Sequence, residues 1–171
     1  MIFVTVGTTK FPFDRLLESV DKAMIDVDSQ EKLVIQKGIS KYKFKYKNTE
    51  VFKELAFNRM IDIVKKARVI ITHGGPATVF LSLKYGKNKP LVIPRLKKFD
   101  EHVDNHQLFF ANFLRRKKFG EVITRKNGMQ NAIKQYLLKP QKRGSGEVKL
   151  REKIRLIRNL LIFTSNLNKN E

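Results

Sequence analysis

Cysteine is absent from the sequence, which excludes a disulfide framework and any metal site built on thiolates. Long apolar runs are absent too: stretches such as 67–72 and 160–163 fall well short of the ~20 residues needed to cross a bilayer. Residues 1–4 enter an apolar run without a basic leader or a small-residue cleavage site, which argues against a secretion signal. We therefore expect a soluble, cytoplasmic chain, and its 171 residues correspond to about one domain.

Several motifs that identify large enzyme classes are also missing. No G-x-G-x-x-G follows the first predicted strand, which argues against an NAD-type dehydrogenase, and the absence of G-x-x-x-x-G-K-[ST] excludes a P-loop enzyme. The absence of G-x-S-x-G removes the usual nucleophile of an α/β-hydrolase. No helix-turn-helix, RNP or zinc motif supports specific binding of nucleic acid.

Acidic residues are few in comparison with basic ones: 16 Asp and Glu stand against 36 Lys and Arg, which gives a net charge of +20. Residues 115–171 supply +12 of this total. Such an excess favours a polyanionic partner, whether nucleic acid, an anionic membrane surface or a phosphorylated substrate. A solvated, lysine-rich surface explains the charge equally well, so the charge does not decide the function.

Segments typical of buried strands alternate with helical segments along the first 138 residues. Ile2 to Gly7 is a continuous apolar run, which indicates a strand buried on both faces, as in parallel sheets. Strands are predicted at 2–7, 32–36, within 51–57, and at 68–72, 90–94 and 119–124; helices are predicted at 13–26, 58–67 with Asn58 as N-cap, 76–86, from about 105, and at 128–138. The lysine-rich stretch 39–48 is predicted to be a loop or an edge. This alternation predicts an α/β fold, a Rossmann-like doubly wound parallel sheet.

The composition changes after residue 138. Lys139 to Gly146 is rich in glycine and basic residues and is predicted to be a flexible hinge before a C-terminal helix and tail at 147–171. That helix places Leu150, Ile154, Ile157 and Leu161 on one stripe among basic residues. We expect it to pack against its own domain or a partner, or alternatively to contact anionic lipid.

The ends of the predicted strands carry the candidate chemistry, because ligands of an open parallel sheet bind beyond the carboxyl ends of its strands. The turn from Thr72 to Thr78 gives the strongest signal: it follows a buried strand, and Pro76 opens a helix whose free amides and dipole can hold phosphate oxygens. Thr78 would add a hydroxyl and His73 a ring N–H. The alternatives are a tight strand-to-helix turn for the glycines and a structural role for His73.

The two remaining histidines, His102 and His106, lie in the loop and helix start after the fifth predicted strand. Asp104 and Glu101 are close by in sequence, so a metal site of His, Asp and Glu is conceivable. No ligand spacing compels such a site, and we expect no metal ion.

Three segments carry a resemblance to a known family: Ile2 to Thr8, Val69 to Thr78 and Pro94 to Gln107. They are similar, in this order, to the C-terminal domain family of MurG-type glycosyltransferases (family 28), and especially to the small PssE-like subunits of two-component capsule and exopolysaccharide glycosyltransferases. Thr-His-Gly-Gly-Pro followed by Glu-His-Val-x-x-His-Gln is the most specific part. The resemblance implies that 1–138 is a nucleotide-sugar-binding domain, the donor half of a GT-B enzyme.

The resemblance also implies which residues contact the donor. The sugar hydroxyls would be held by His106 and Gln107. The diphosphate would be held by the turn and the helix start that follow the fourth predicted strand, at His73, Gly74, Gly75, Ala77 and Thr78. Many relatives hold the ribose with a glutamate where this chain has Leu81, so backbone groups near Phe57 are expected to contribute to recognition of the base. The complete set is Gly7, Thr8, Thr9, Gln36, Gly38, Phe57, His73, Gly74, Gly75, Pro76, Ala77, Thr78, His106 and Gln107.

By the same resemblance, the chain would be the donor-binding, catalytic subunit of an inverting UDP-sugar hexosyltransferase that needs no cofactor. A membrane-anchored, PssD-like partner would provide the acceptor half and the general base, with Glu101 and His73 as weaker candidates within this chain. The acceptor would be a lipid-linked saccharide at the inner face of the cell membrane. The alternatives are a non-catalytic accessory subunit, a basic nucleic-acid-binding module and a sugar-nucleotide epimerase.

Overall fold

A six-stranded sheet forms the centre of the protein in a computed structural model that describes residues 1–142. Its strands, all parallel to their neighbours, are β1 (Ile2–Thr5), β2 (Leu33–Gln36), β3 (Thr49–Phe52), β4 (Val69–Thr72), β5 (Leu91–Val92) and β6 (Glu121–Val122). Their order across the sheet is β3-β2-β1-β4-β5-β6. This is the order of a doubly wound Rossmann sheet, so the predicted fold class is confirmed.

Helices cover both faces of the sheet. They are α1 (Asp14–Asp26), α2 (Phe57–Lys66), α3 (Pro76–Tyr85), α4 (His106–Arg116) and α5 (Met129–Leu138), with a short 3-10 turn at Lys97–Phe99. α1 packs with α5, α2 packs with α3, and α4 lies against β6. None of the helices in the described part is long and apolar enough to span a membrane.

The central strands are buried on both faces, which is why their sequences are continuously apolar. Every residue of β1, β2 and β4 is buried. Val4 packs into the core cluster under α1 and α5, whereas Phe3 points to the opposite face and packs with Val64 of α2. Because successive strand side chains alternate in direction, a strand buried on both faces cannot show a polar alternation.

Two details differ from the sequence prediction. β3 was predicted within 51–57, but it spans Thr49–Phe52. α2 begins at Phe57 with Ala56 as its N-cap, so the N-cap prediction for Asn58 was wrong. No side chain caps this helix; Ala56 has an extended backbone, and its carbonyl accepts from the amide of Met60 at 2.9 Å. The helix therefore begins without a side-chain cap.

The lysine-rich stretch 39–48, which was predicted to be either a loop or an edge, is a loop. Two carboxylates of α1 hold it: Asp14 accepts from the amides of Lys41 and Tyr42, and Asp21 accepts from the amides of Lys45 and Tyr46. The aromatic side chains therefore pack inward while the lysines are exposed.

The predicted hinge and C-terminal helix fall almost entirely beyond the described residues. Lys142 pairs with Asn88 in an isolated antiparallel bridge, and the amide of Lys89 donates to Gln141 O at 2.9 Å. The start of the predicted hinge thus lies against the loop before β5. The domain boundaries at 138 and 146 stay a prediction.

Candidate donor-binding site

The topology brings two predicted site segments to the centre of one rim. β1 and β4 are adjacent, and the order of strands reverses between them, so β1 leads towards β2 while β4 leads towards β5. In doubly wound sheets this reversal opens a crevice at the carboxyl ends of the two strands. The loop after β1 begins with Gly7, and the turn after β4 is His73-Gly74-Gly75.

Close packing around the His73 ring explains two of the glycines. A Cβ atom placed on Gly7 would lie 2.7 Å from His73 Nε2, and one on Gly75 would lie 2.2 Å from the same atom. Gly7 also has a φ of +75°, which favours glycine. A Cβ atom on Gly38, where φ is +57°, would meet Gly7 O at 2.7 Å. The turns after β1, β2 and β4 are therefore in direct contact.

Gln107 joins this group from the first turn of α4. A Cβ atom on Gly74 would lie 2.9 Å from Gln107 Cβ and 3.0 Å from Gln107 O. The Gln107 side chain is buried, and its Oε1 accepts from the backbone amide of Arg95 at 3.2 Å. With the oxygen engaged in this way, the Nε2 group is the part of Gln107 that can donate to a ligand.

The start of α3 presents backbone N–H groups that donate no hydrogen bond to any group of the described residues. Among residues 1–142, the amides of Gly74, Gly75, Ala77 and Thr78 donate no hydrogen bond. The first amide of this segment to donate within the fold is that of Val79, to Gly75 O at 3.1 Å. Free amides at the positive end of a helix dipole form an anion-binding site.

His73 is neutral at physiological pH. Burial, and to a lesser extent the nearby Arg95 guanidinium, lowers its pKa to about 4. Its Nδ1 faces Thr5 O at 3.4 Å, and a carbonyl oxygen can only accept, so the single ring proton lies on Nδ1. The ring N–H therefore points into the fold rather than to a ligand, and Nε2 between Gly7 and Gly75 is an acceptor. This differs from the N–H donor that the sequence suggested.

Arg95 is a key residue that the sequence reasoning did not select. It follows β5, its side chain is buried, and its guanidinium donates to Val6 O at 2.7 Å and to Phe11 O at 2.9 Å. It also donates to Glu101 O at 3.1 Å, and so joins the loop after β1 to the loop before α4. Burial lowers the pKa of Arg95 to about 10, which leaves it charged at neutral pH. A single arginine after an apolar strand is not a sequence pattern that predicts such a role.

Glu101 is engaged in an internal ion pair. Its two oxygens accept from Arg15 Nε at 2.7 Å and Arg15 Nη2 at 2.8 Å, and the amide of Leu96 donates to it at 3.0 Å. The carboxylate is buried. Bidentate pairing of this kind holds the loop in place and engages both oxygens of the carboxylate within the fold.

The remaining predicted residues occupy several environments around the rim. Thr8 and Ala77 are exposed, Thr9 and Pro76 are half-buried, and Phe57 is exposed at the start of α2. Gln36 is buried and accepts from Thr5 Oγ1 at 2.8 Å, and Thr78 is buried in α3. Leu81 is buried and apolar, so it offers no acceptor for a ribose hydroxyl.

His106 belongs to a separate group of polar side chains beside Gln107. Its Nδ1 lies 2.5 Å from Asp104 Oδ1, and the Nδ1 of His102 lies 3.3 Å from the same oxygen. The candidate ligand atoms of the three residues all lie within 4.8 Å of one another, an arrangement that could hold a metal ion. Glu101, the fourth residue considered from the sequence, is not part of this group because it pairs with Arg15.

The family of the chain follows from a sequence comparison. The profile of the glycosyltransferase family 28 C-terminal domain matches residues 1–158. The chain belongs to this family. No curated protein sequence matches it significantly.

Solved structures show the fold of this family 28 domain in larger glycosyltransferases. The glycotransferase of kitacinnamycin is similar with a TM-score of 0.60 and 15% identity, over 99% of this chain and 43% of that one. Os79 from O. sativa, solved in complex with UDP, is similar with a TM-score of 0.53 and 9% identity, over 92% of this chain and 34% of that one. The chain thus spans less than half the length of these enzymes and has the fold of one half of a GT-B glycosyltransferase.

Proposed function

We propose that this chain is the donor-binding subunit of an inverting, UDP-sugar-dependent hexosyltransferase that works with a membrane-anchored partner. The observation that carries the proposal is the set of free amides at the start of α3, placed at the sheet's reversal point beside Gly7, Gly38 and Gln107. A diphosphate is the ligand that such a helix start suits best. Membership of family 28 and similarity to an enzyme solved with UDP support a nucleotide sugar as the donor.

In the proposed reaction, the acceptor hydroxyl attacks the anomeric carbon from the face opposite the diphosphate. Negative charge then grows on the departing diphosphate, and the amides of Gly74, Gly75, Ala77 and Thr78 stabilise it without having to reorganise. The Nε2 group of Gln107 would donate to a sugar hydroxyl, because its Oε1 is engaged by Arg95. Helix dipole and basic residues would supply the electrostatic stabilisation, so the reaction as proposed needs no cofactor and no metal ion.

The general base is proposed to come from the partner. Glu101 is held by Arg15, and the Nε2 of His73 is confined between Gly7 and Gly75. A base must lie within hydrogen-bond reach of the attacking hydroxyl. His73 remains the candidate within this chain because its Nε2 carries a free lone pair.

Exposed apolar side chains around the same rim support the proposal that a partner covers this rim. Phe57 at the start of α2 is 65% exposed, Phe109 in α4 is 60% exposed, and Val103 in the preceding loop is 53% exposed. Each follows the carboxyl end of a strand, so all lie at the side of the sheet where the donor would bind. Exposed apolar side chains beside a site are candidates for contact with a partner. A lipid-linked saccharide of capsule or exopolysaccharide synthesis, at the inner membrane face, is the proposed acceptor.

Binding of UDP to the purified chain, measured by calorimetry, tests the donor site. Ala77→Asp places a carboxylate in the exposed first turn of α3, where it stabilises the helix through the dipole but repels a diphosphate. We expect UDP affinity to fall at least about tenfold (about 1.4 kcal/mol) while the melting temperature is unchanged or higher. Asn131→Asp adds the same charge in the first turn of α5 and should leave UDP affinity unchanged.

Two further variants test residues that were predicted from the sequence to bind the donor. His73→Ala and Gln107→Ala should weaken UDP-sugar binding and abolish transfer in the reconstituted complex while the chain still folds. Equal UDP binding by the wild type and Ala77→Asp would contradict the diphosphate site. No binding of UDP by the wild type would favour the second candidate, an accessory subunit whose donor site has decayed. Binding to arbitrary duplex DNA would not support a nucleic-acid function, because any chain of charge +20 shows it.

A further inference from the structure

Three metal-ligating side chains converge in the loop that leads into α4. The Nδ1 of His102 is 3.3 Å from Asp104 Oδ1, and the Nδ1 of His106 is 2.5 Å from the same oxygen. The two imidazole rings meet edge to face with their centroids 4.5 Å apart. The amides proposed to hold the diphosphate do not contact this group, and only His106 of the three was predicted from the resemblance to contact the donor.

The local backbone brings these side chains together. Asp104 stands just before the N-cap Asn105, and its Oδ1 accepts from the amide of His106 at 3.0 Å. Asp100 has a left-handed conformation, with φ of +53°, and it turns the chain back after the 3-10 turn. The base of the loop is fixed by the buried Glu101, whose carbonyl accepts from Arg95. His102 and His106 are consequently held on either side of one carboxylate.

One ring nitrogen in this group lacks the hydrogen bond that its burial calls for. His102 Nδ1 is buried and, among residues 1–142, has no hydrogen-bond partner of good geometry, although it lies 3.3 Å from Asp104 Oδ1. Leaving a buried polar atom unsatisfied costs about 1–3 kcal/mol. The ring packs near Phe11, with centroids 5.7 Å apart. The Nδ1 atom of His102 is therefore available to a ligand beside Asp104.

We propose that His102, Asp104 and His106 bind one divalent transition-metal ion, with Zn²⁺ as the best match. Two imidazole nitrogens and a carboxylate oxygen form a ligand set that Zn²⁺ takes in proteins, whereas Ca²⁺ and Mg²⁺ prefer oxygen alone. Ligand atoms around tetrahedral Zn²⁺ lie about 3.3 Å apart, given bonds of about 2.0–2.1 Å. The distance from His102 to Asp104 already has this value.

Binding requires one small rearrangement. The ion must separate His106 Nδ1 and Asp104 Oδ1 from their 2.5 Å contact, and any proton bound to a ligand atom is released. Three protein ligands leave a fourth position for water or another ligand. The ion would tie the loop before α4 to the first turn of that helix, next to Gln107, and it has no step in the transfer reaction.

The composition of the chain makes this site easy to test. There are three histidines and no cysteine, and the ring of His73 is buried in another environment. We expect untagged protein to bind one Zn²⁺ per chain in calorimetric titration. Co²⁺ in its place should give the visible absorption bands of a tetrahedral site. Zn²⁺ should also raise the melting temperature, because it binds the folded state.

His102→Ala and Asp104→Ala should each weaken Zn²⁺ binding at least about tenfold and remove the Co²⁺ bands. His73→Gln is the matched control: it removes a histidine of the same chain and should keep both signals. Circular dichroism confirms that each variant is folded. The proposal is wrong if the wild type binds no Zn²⁺ in saturable fashion, or if binding survives in both variants. UDP binding measured with EDTA present tests the donor site separately, so the two proposals fail independently.

Discussion

His73 shows how its surroundings determine the chemistry of one side chain. The ring lies between Gly7 and Gly75, where side chains larger than glycine would collide with it, and its Nδ1 faces Thr5 O at 3.4 Å. Both the close packing and the carbonyl fix the ring in one orientation. Burial keeps it uncharged, with a pKa of about 4. His73 is therefore equipped to accept a hydrogen bond at Nε2, not to supply a positive charge.

This depressed pKa predicts a dependence of stability on pH. The unfolded chain binds a proton at His73 near the ordinary pKa of 6.5, whereas the folded chain does so only near 4. Stability from the neutral ring is thus present above pH 6.5 and is lost as the pH falls towards 4. From pH 7 to pH 5 we expect the free energy of unfolding to decrease by about 2 kcal/mol from this residue. Urea unfolding of the wild type and of His73→Gln at both pH values measures this decrease. The free energy of unfolding of the variant should fall by about 2 kcal/mol less than that of the wild type. Parallel slopes would contradict the assignment.

At the level of elements, the basic loop 39–48 depends on α1 for its conformation. Asp21 is fully buried, and its carboxylate accepts from Tyr42 Oη at 2.9 Å and from the amides of Lys45 and Tyr46 at 3.0 Å each. The pKa of Tyr42 rises to about 12, first through burial and then through the Asp21 carboxylate. One carboxylate thus replaces the sheet hydrogen bonds that this extended segment does not make.

Removing that carboxylate should release the loop. Asp21→Ala leaves two backbone amides and one phenol without their acceptor, and we expect a loss of about 2–4 kcal/mol in the free energy of unfolding. Hydrogen exchange should accelerate at the amides of Lys45 and Tyr46. Asp62→Ala, at an exposed position of α2, is the control and should change stability by less than about 0.5 kcal/mol. Similar stabilities for the two variants would show that Asp21 does not hold this segment.

At the level of the whole molecule, the chain resembles one half of larger enzymes, and its candidate site opens at one rim of the sheet. The two glycosyltransferase structures described above are more than twice its length. A donor site at the edge of a single domain is open on the side where the second domain of a GT-B enzyme would lie. The partner that we propose would therefore contact the chain at this rim.

The exposed apolar residues give a test of that contact. Phe109→Ser and Val103→Ser should reduce capture of the co-expressed, membrane-anchored partner, because they remove apolar surface beside the site. Leu138→Ser is the matched control, since Leu138 is 62% exposed but lies at the end of α5, at the opposite side of the sheet. UDP binding by each isolated variant should equal that of the wild type. Equal loss of capture in all three variants would contradict a partner at the rim.

The amino-acid sequence by itself determined the fold class and the family. Continuous apolar strands, the helix start at Pro76 and the Thr-His-Gly-Gly-Pro turn are local patterns, and local patterns specify which residues form each element. It did not identify Arg95 or the engagement of Glu101, because those roles depend on contacts between loops far apart along the chain. The tautomer of His73 and the convergence of His102 with His106 were likewise decided by the tertiary structure alone. Burial and the nearest carbonyl or carboxylate set the proton positions, and neither can be read before the chain is folded.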